Sequence, residues 1–287
     1  MSNAKNIIEK EKMIDCHIHI TPPEIIEDEK KYCKKDSYFD LLCSNPYNDF
    51  ITAEEIAQKT SELDLRKAIV FGFAFRDLSL CRQVNNYTIS AAEKHPDKFT
   101  GFCVINPAAE GVVEELKRCR DAGLKGIGEL FPAGQDFDIT SVQDMETVCN
   151  FAAREEWPIL IHINESIGHD YEGKTDISME DAFELAENFP ENKFIFAHWG
   201  GGLPFFELMP EVNETLKNVF YDTAAGPFLY KSEIYDTVES IGIIDKILLG
   251  SDYPLISPGR YRRRIAKSGL NKKDARKILW KNAESLL

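Results

Sequence analysis

Met13-Ile14-Asp15-Cys16-His17-Ile18-His19-Ile20 is an apolar run broken by two histidines with one residue between them. As a strand it rises about 3.3 Å per residue, which sets the two imidazoles roughly 6 to 7 Å apart at their roots on one face and leaves Cys16 on the other. Histidine pairs at this spacing also occur merely packed or solvated. What gives this pair weight is the pattern around it.

Working outward, seven more short apolar runs follow, over 67–75, 99–105, 124–130, 158–164, 193–198, 218–223 and 245–250. Between them the spacing predicts helices over 52–64, 80–94, 110–122, 141–155, 178–188, 204–217 and 232–241, with 260–267 and 272–286 closing the chain. The first of these opens on Thr52-Ala53-Glu54-Glu55, which has the capping-box form. Eight strands, each followed by helix, predict a single α/β domain over 13–287, a (β/α)8 TIM barrel, because parallel strands covered on both faces read as near-continuous apolar runs. An open doubly wound sheet alternates in the same way, but it carries a Gly-rich phosphate loop after its first strand, where this chain has Thr21-Pro22-Pro23. Residues 1–12, polar and without the apolar centre of a signal peptide, read as an N-terminal extension. Residues 21–50 are too long for an ordinary connection and read as an irregular lid or substrate loop, with Tyr32, Lys34 and Lys35 in it.

Lys plus Arg number 34 against 48 Asp plus Glu, a net charge of −14, which disfavours nucleic acid and anionic membranes as partners. No run approaches the roughly 20 apolar residues of a membrane span. The seven cysteines are scattered without a repeated CxxC spacing, which suits reduced thiols and a cytoplasmic setting. The expected partner is therefore a small molecule.

In such a barrel the functional residues sit at the C-terminal ends of the strands. The polar residues there are His17, His19, Arg76, Asn106, Glu129, His162, His198 and Asp252. Four of the six histidines fall on strands, and imidazoles with carboxylates are the donor set of Zn²⁺ or a similar divalent ion. Arg76 is placed to clamp a substrate carboxylate, or else to pair with Asp77 or Glu129. Asn106, His169 and Trp199 are further candidates for lining a substrate pocket, with Tyr171 and Lys174 near His169. No Ser-His-Asp or Cys-His nucleophile arrangement is visible.

These pieces together resemble the amidohydrolase superfamily, in particular the amidohydrolase-related branch that includes aminocarboxymuconate semialdehyde decarboxylase. The resemblance runs from Met13 to the end. It is carried by Asp15-Cys16-His17-Ile18-His19, Lys94-His95-Pro96-Asp97-Lys98-Phe99, His162, Phe196-Ala197-His198-Trp199-Gly200-Gly201-Gly202 and Gly250-Ser251-Asp252-Tyr253-Pro254. It implies that His17, His19, His162 and Asp252 hold the metal, one or two ions with Zn²⁺ as first choice. It also implies that His198 acts on substrate or water from off the metal, and that Asp252 doubles as proton shuttle. Homodimers are common in the branch.

Glu129 departs from the decarboxylase pattern. Gly126-Ile127-Gly128-Glu129-Leu130 resembles the Gly-Glu stretch of TatD-like hydrolases, which use that carboxylate as a metal ligand. The expectation is therefore a hydrolase, acting on a small amide, ester or lactone through a metal-activated water. The alternative is a lyase with the same ligands, a non-oxidative decarboxylase or a hydratase, in which Glu129 only orients a histidine from outside. A non-catalytic metal protein fits less well, because every ligand position is filled.

Overall fold

The computed structural model describes residues 8–45, 49–171 and 173–287; the first seven residues of the N-terminal extension, three residues of the 21–50 segment and residue 172 lie outside it. Eight parallel strands follow in order: β1 (Met13–His19), β2 (Leu65–Phe71), β3 (Phe99–Gly101), β4 (Ile127–Leu130), β5 (Ile159–Ile161), β6 (Phe194–Phe196), β7 (Val219–Asp222) and β8 (Ile247–Leu248). Sequential neighbours pair as β1-β2-β3 and as β4 through β8. Two seams join these arcs. Cys103 bridges to Ile127 between β3 and β4, and Ile18 to Tyr253 between β1 and the end of β8. Backbone bonds from Gly128 to the Cys103 carbonyl (2.8 Å) and from Asp252 to the His17 carbonyl (3.0 Å) reinforce them. The closed (β/α)8 barrel is the predicted fold.

Regular pairing stops short of the ends of the apolar runs. The fifth run reaches 164, yet β5 ends at Ile161, one residue before His162, because the chain there leaves the ladder to present side chains at the barrel mouth. Successive strand residues fall into two packing groups. Ile159, Ile161, Phe194 and Phe196 pack outward with helix residues such as Leu116, Val148 and Leu185. Leu160 and Ile195 pack inward with Ile14, Ile69, Phe102 and Leu248. On β1 the alternation breaks: its register against β2 slips between Asp15 and Ile18. Cys16 consequently joins the interior group that includes Phe71, the ring that stands edge-on to both His17 and His19, rather than the opposite face.

The helices over Ala53–Lys59, Leu78–Lys94, Val112–Asp121, Val142–Glu155, Met179–Asn188 and Ile234–Ile241 match expectation, the first with the capping box of Thr52 and Glu55. Three segments differ. The 21–50 segment holds three short helices, Pro23–Glu27, Glu29–Cys33 and Ser37–Ser44. Pro23 occupies the first helical turn, where proline is tolerated, and Asp36 caps the third helix by accepting from the Tyr38 and Phe39 amides. Residues 198–208 form a chain of tight turns with left-handed backbone from His198 to Gly202, and helix resumes only at Pro210–Thr215. The closing helix contains one wide turn, Lys277–Lys281. Among the described residues no helix is long and apolar enough to cross a membrane.

Candidate metal centre and active site

β1, β4 and the turn after β8 each aim a side chain at one point. His17 Nε2 lies 3.3 Å from His19 Nε2, 3.4 Å from Glu129 Oε2 and 3.5 Å from Asp252 Oδ1. His19 Nε2 is 3.4 Å from each of the same two carboxylate oxygens. These separations are long for N–H···O hydrogen bonds. They match the edges of about 3.4 Å that four ligands make around an ion held at about 2.1 Å, the bond length of zinc-like ions to nitrogen and oxygen. Hard oxygens and imidazoles together fit a divalent cation, and the residues present fit that group.

The local backbone explains the aim. Gly128 has φ +123°, and a Cβ there would meet the Leu160 carbonyl oxygen at 2.3 Å, so only glycine lets the chain turn Glu129 into the mouth. At Gly250 a Cβ would come within 3.0 Å of His17 Cβ and closer to Asp222, so the strand passes directly beneath the cluster. Asp252 itself is left-handed, with φ 59°. Asp15 Oδ1 accepts from the His17 amide (3.1 Å) and the Ser251 amide (2.9 Å), tying the ligand strand to the Asp252 turn.

Asp222 escaped the sequence reading. It is fully buried at the end of β7. Its Oδ2 sits 2.7 Å from His17 Nδ1, while Oδ1 accepts from the His198 and Ala224 amides. A proton held on Nδ1 leaves the Nε2 lone pair free to face the ion, the usual task of a carboxylate behind a ligating histidine. The signal was present: the run Asn218-Val219-Phe220-Tyr221-Asp222-Thr223 ends on a carboxylate at the same rim.

Glu129 has a second face. Its Oε1 is 3.0 Å from His162 Nδ1 and 3.4 Å from His198 Nε2, and those two nitrogens are 3.0 Å apart. The fourth corner beside His17, His19 and Asp252 is thus taken by Glu129, and His162 meets the other oxygen of that carboxylate together with His198. Two of these three contacts are hydrogen-bond lengths, so a proton can pass among the three atoms. His198 Nδ1 is buried without a hydrogen-bond partner among the described residues.

Burial alone would depress the His17 pKa, but the Glu129 and Asp222 carboxylates outweigh it and hold it well above the ordinary imidazole value. Desolvation is likewise overcome at His19, by Asp252 and Glu129, and at His198, by Glu129; both are raised. Burial would raise Glu129 and Asp252, yet the imidazoles around them pull both below the usual carboxylate range. Burial pushes Asp15 up to about 7, outweighing its hydrogen bonds to Ser251 and the His17 amide and the charge of His17.

A cavity opens over the cluster, lined by His19, Glu129, His162 and Asp252 at its floor and by Tyr38, Phe50, Phe73 and Phe131 among its walls. The four residues expected to line it do not. Arg76 forms an exposed ion pair with Asp136 rather than with Asp77 or Glu129. The Asn106 side chain donates to the Arg76 and Gln135 carbonyls and braces two loops. His169 is exposed beside Tyr171. Trp199 is buried against Tyr230 and Tyr235, turned away by the left-handed backbone at that position.

A family model described as amidohydrolase matches residues 14–287, and the chain belongs to that family. One curated relative, the 2-amino-3-carboxymuconate-6-semialdehyde decarboxylase of Dictyostelium discoideum, is 22% identical over 295 residues, spanning 84% of this chain and 81% of the relative. Among solved structures, the 5-carboxyvanillate decarboxylase of Novosphingobium aromaticivorans, with manganese and a nitrobenzoic acid bound, is 14% identical over 97% of this chain and 96% of that one, with a TM-score of 0.75. The 2,6-dihydroxybenzoate decarboxylase of Rhizobium is 15% identical over 96% and 98%, with a TM-score of 0.68. These likenesses share the barrel, and the chain is an enzyme of the amidohydrolase superfamily. They overturn the expectation of hydrolysis: the named relatives are decarboxylases.

Proposed function

We propose that the chain is a divalent-metal-dependent, non-oxidative decarboxylase of a small aromatic or unsaturated acid. The observation that carries this reading is the His162–His198 pair, set on one oxygen of Glu129 while the other oxygen stands 3.4 Å from both His17 and His19, in a chain whose relatives are decarboxylases. His17, His19, Glu129 and Asp252 would hold a divalent ion, whose positive charge would anchor a substrate carboxylate and draw electron density from its neighbourhood. The donor set suits manganese as well as zinc, and manganese is the ion to load first.

The bond between the substrate carbon and its carboxylate breaks, the electron pair stays on that carbon, and CO₂ leaves. The His162–His198 pair, of which His162 lines the cavity, gives the carbon its proton, with Asp252 as the other carboxylate at the floor able to pass protons. No oxidant or reductant is consumed. The helix Ser37–Ser44 lends Tyr38, Leu41 and Leu42 to the cavity wall, apolar surface that disfavours water beside the carbanionic carbon. The partner is a small acid rather than nucleic acid or a membrane, the setting cytoplasmic, and the assembly a homodimer, which light scattering checks.

The test is CO₂ release from aromatic and muconate-type acids by the manganese-loaded protein, with product lighter by one carboxyl group. Chelation is expected to abolish it. Undiminished turnover by metal-free protein, or no CO₂ from any of these acids, overturns the proposal.

A further inference from the structure

The cavity above the cluster measures ≈ 210 Å³. A dry cavity of about 150 Å³ accepts benzene, so this space suits one substituted ring. Its walls are flat and apolar. Phe131 stands edge-on to His162 and to Tyr38, both at 5.0 Å, with Phe73 at 6.4 Å, and Leu41, Phe50 and Leu255 add aliphatic and aromatic surface. Rings meet such edges at centroid distances of about 4.5–7 Å.

Charge in the cavity runs one way. Apart from the imidazoles at the floor, no basic side chain lines it among the described residues, and Asp49 stands at its exposed rim. The nearby cations are engaged: Arg76 by Asp136, and Lys174 by Glu165 at 3.9 Å. Among the described residues a substrate carboxylate therefore has one place with positive charge to meet it, the ligand group at the floor. A second carboxylate would lie against apolar walls or face Asp49.

We infer that the substrate is a single-ring aromatic acid with one carboxylate, its far end uncharged or carrying a hydrogen-bond donor toward Asp49. The fate of the carboxylate rests on the decarboxylase reading, but its recognition does not, and the two are measured separately. Calorimetric titration of the manganese-loaded full chain with 2,6-dihydroxybenzoate, a monocarboxylate, and with 5-carboxyvanillate, a dicarboxylate, reads recognition, while CO₂ release is followed in parallel.

The monocarboxylate is expected to bind at least about 30-fold more tightly, as an unpaired like charge facing Asp49 in an apolar site demands. Asp49→Lys is expected to cut that ratio by about tenfold by turning repulsion into attraction. A ratio below tenfold, a preference for the dicarboxylate, or no binding of the monocarboxylate at millimolar concentration overturns the inference; an unchanged ratio in Asp49→Lys overturns its charge argument. If the ratio holds while neither acid releases CO₂, the inference stands and the decarboxylase reading fails.

Discussion

Two glutamates in this barrel are nearly equally buried and both titrate below the usual range, yet they are built for different ends. Glu115, on the helix Val112–Asp121, accepts from Arg82 Nε at 3.0 Å, Arg118 Nε and Nη2 at 2.9 and 2.8 Å, and Asn85 Nδ2 at 2.8 Å. Burial would raise it, but permanent donors led by Arg118 and Asn85 outweigh that. Glu129 is met only by imidazoles, most of them at 3.3 Å or more. A carboxylate ringed by guanidinium and amide groups is satisfied on its own. One ringed by groups that lose their protons near neutrality is satisfied only when a cation, or several protons, joins it.

The sharpest break of this contrast is substitution at the two sites. Glu129→Gln is expected to lose bound metal and to lower kcat/KM at least about 1,000-fold, the several kcal/mol that a metal centre contributes, with the fold retained by circular dichroism. Full metal content in that variant would remove Glu129 from the ligand set. Asp222→Asn keeps the shape but weakens the hold on the His17 Nδ1 proton. Metal affinity or activity should fall about 10- to 100-fold, as for other groups behind a ligating histidine, and wild-type affinity by competitive chelator titration would contradict the role.

The third test is pH. In metal-free protein the raised pKa values of His17 and His19 contribute stability that is complete below the ordinary imidazole value of 6.5 and is lost as pH rises through their folded values. The lowered Glu129 and Asp252 contribute above their ordinary values of 4.5 and 3.8 and lose that as pH falls through their folded values. Metal must displace the imidazole protons, so the rise in Tm on adding manganese should grow between pH 6 and 8. A rise that is flat or shrinks over that range would sink the argument. The smallest effect on catalysis belongs to Glu115→Ala. It should cost about 1–3 kcal/mol of stability through lost charge-assisted hydrogen bonds, with metal content and kcat/KM per folded molecule unchanged; a loss of bound metal there would erase the distinction between the two glutamates.

Much of this was legible in the chain itself. The alternation of apolar runs with helices gives the barrel because parallel strands have no exposed face, and the ligands show themselves because histidines rarely end such runs without a partner. Asp222 is readable by the same rule, since its apolar run ends on a carboxylate at the same rim. The cavity walls were not readable. Tyr38 and Phe50 come from a segment whose helices depend on Asp36 and Pro23 at particular turns, and Arg76 chose a carboxylate, Asp136, that lies sixty residues away in sequence. Side chains fixed by strand period can be placed from sequence, whereas those fixed by loop packing cannot. The reaction was misjudged for a related reason: one carboxylate at a strand end was asked to decide a chemistry that depends on the whole site.

The seam between β8 and β1 has a consequence for folding. Asp15 Oδ1 and the Ser251 amide, 236 residues apart in the chain, join beside the point where His17 and Asp252 converge. That contact requires the first and last strands to meet, so no half-barrel can assemble the ligand group. Uptake of metal would thus report closure of the ring rather than formation of its parts, and an ion that binds only the closed form would hold shut the joint with the longest loop to close.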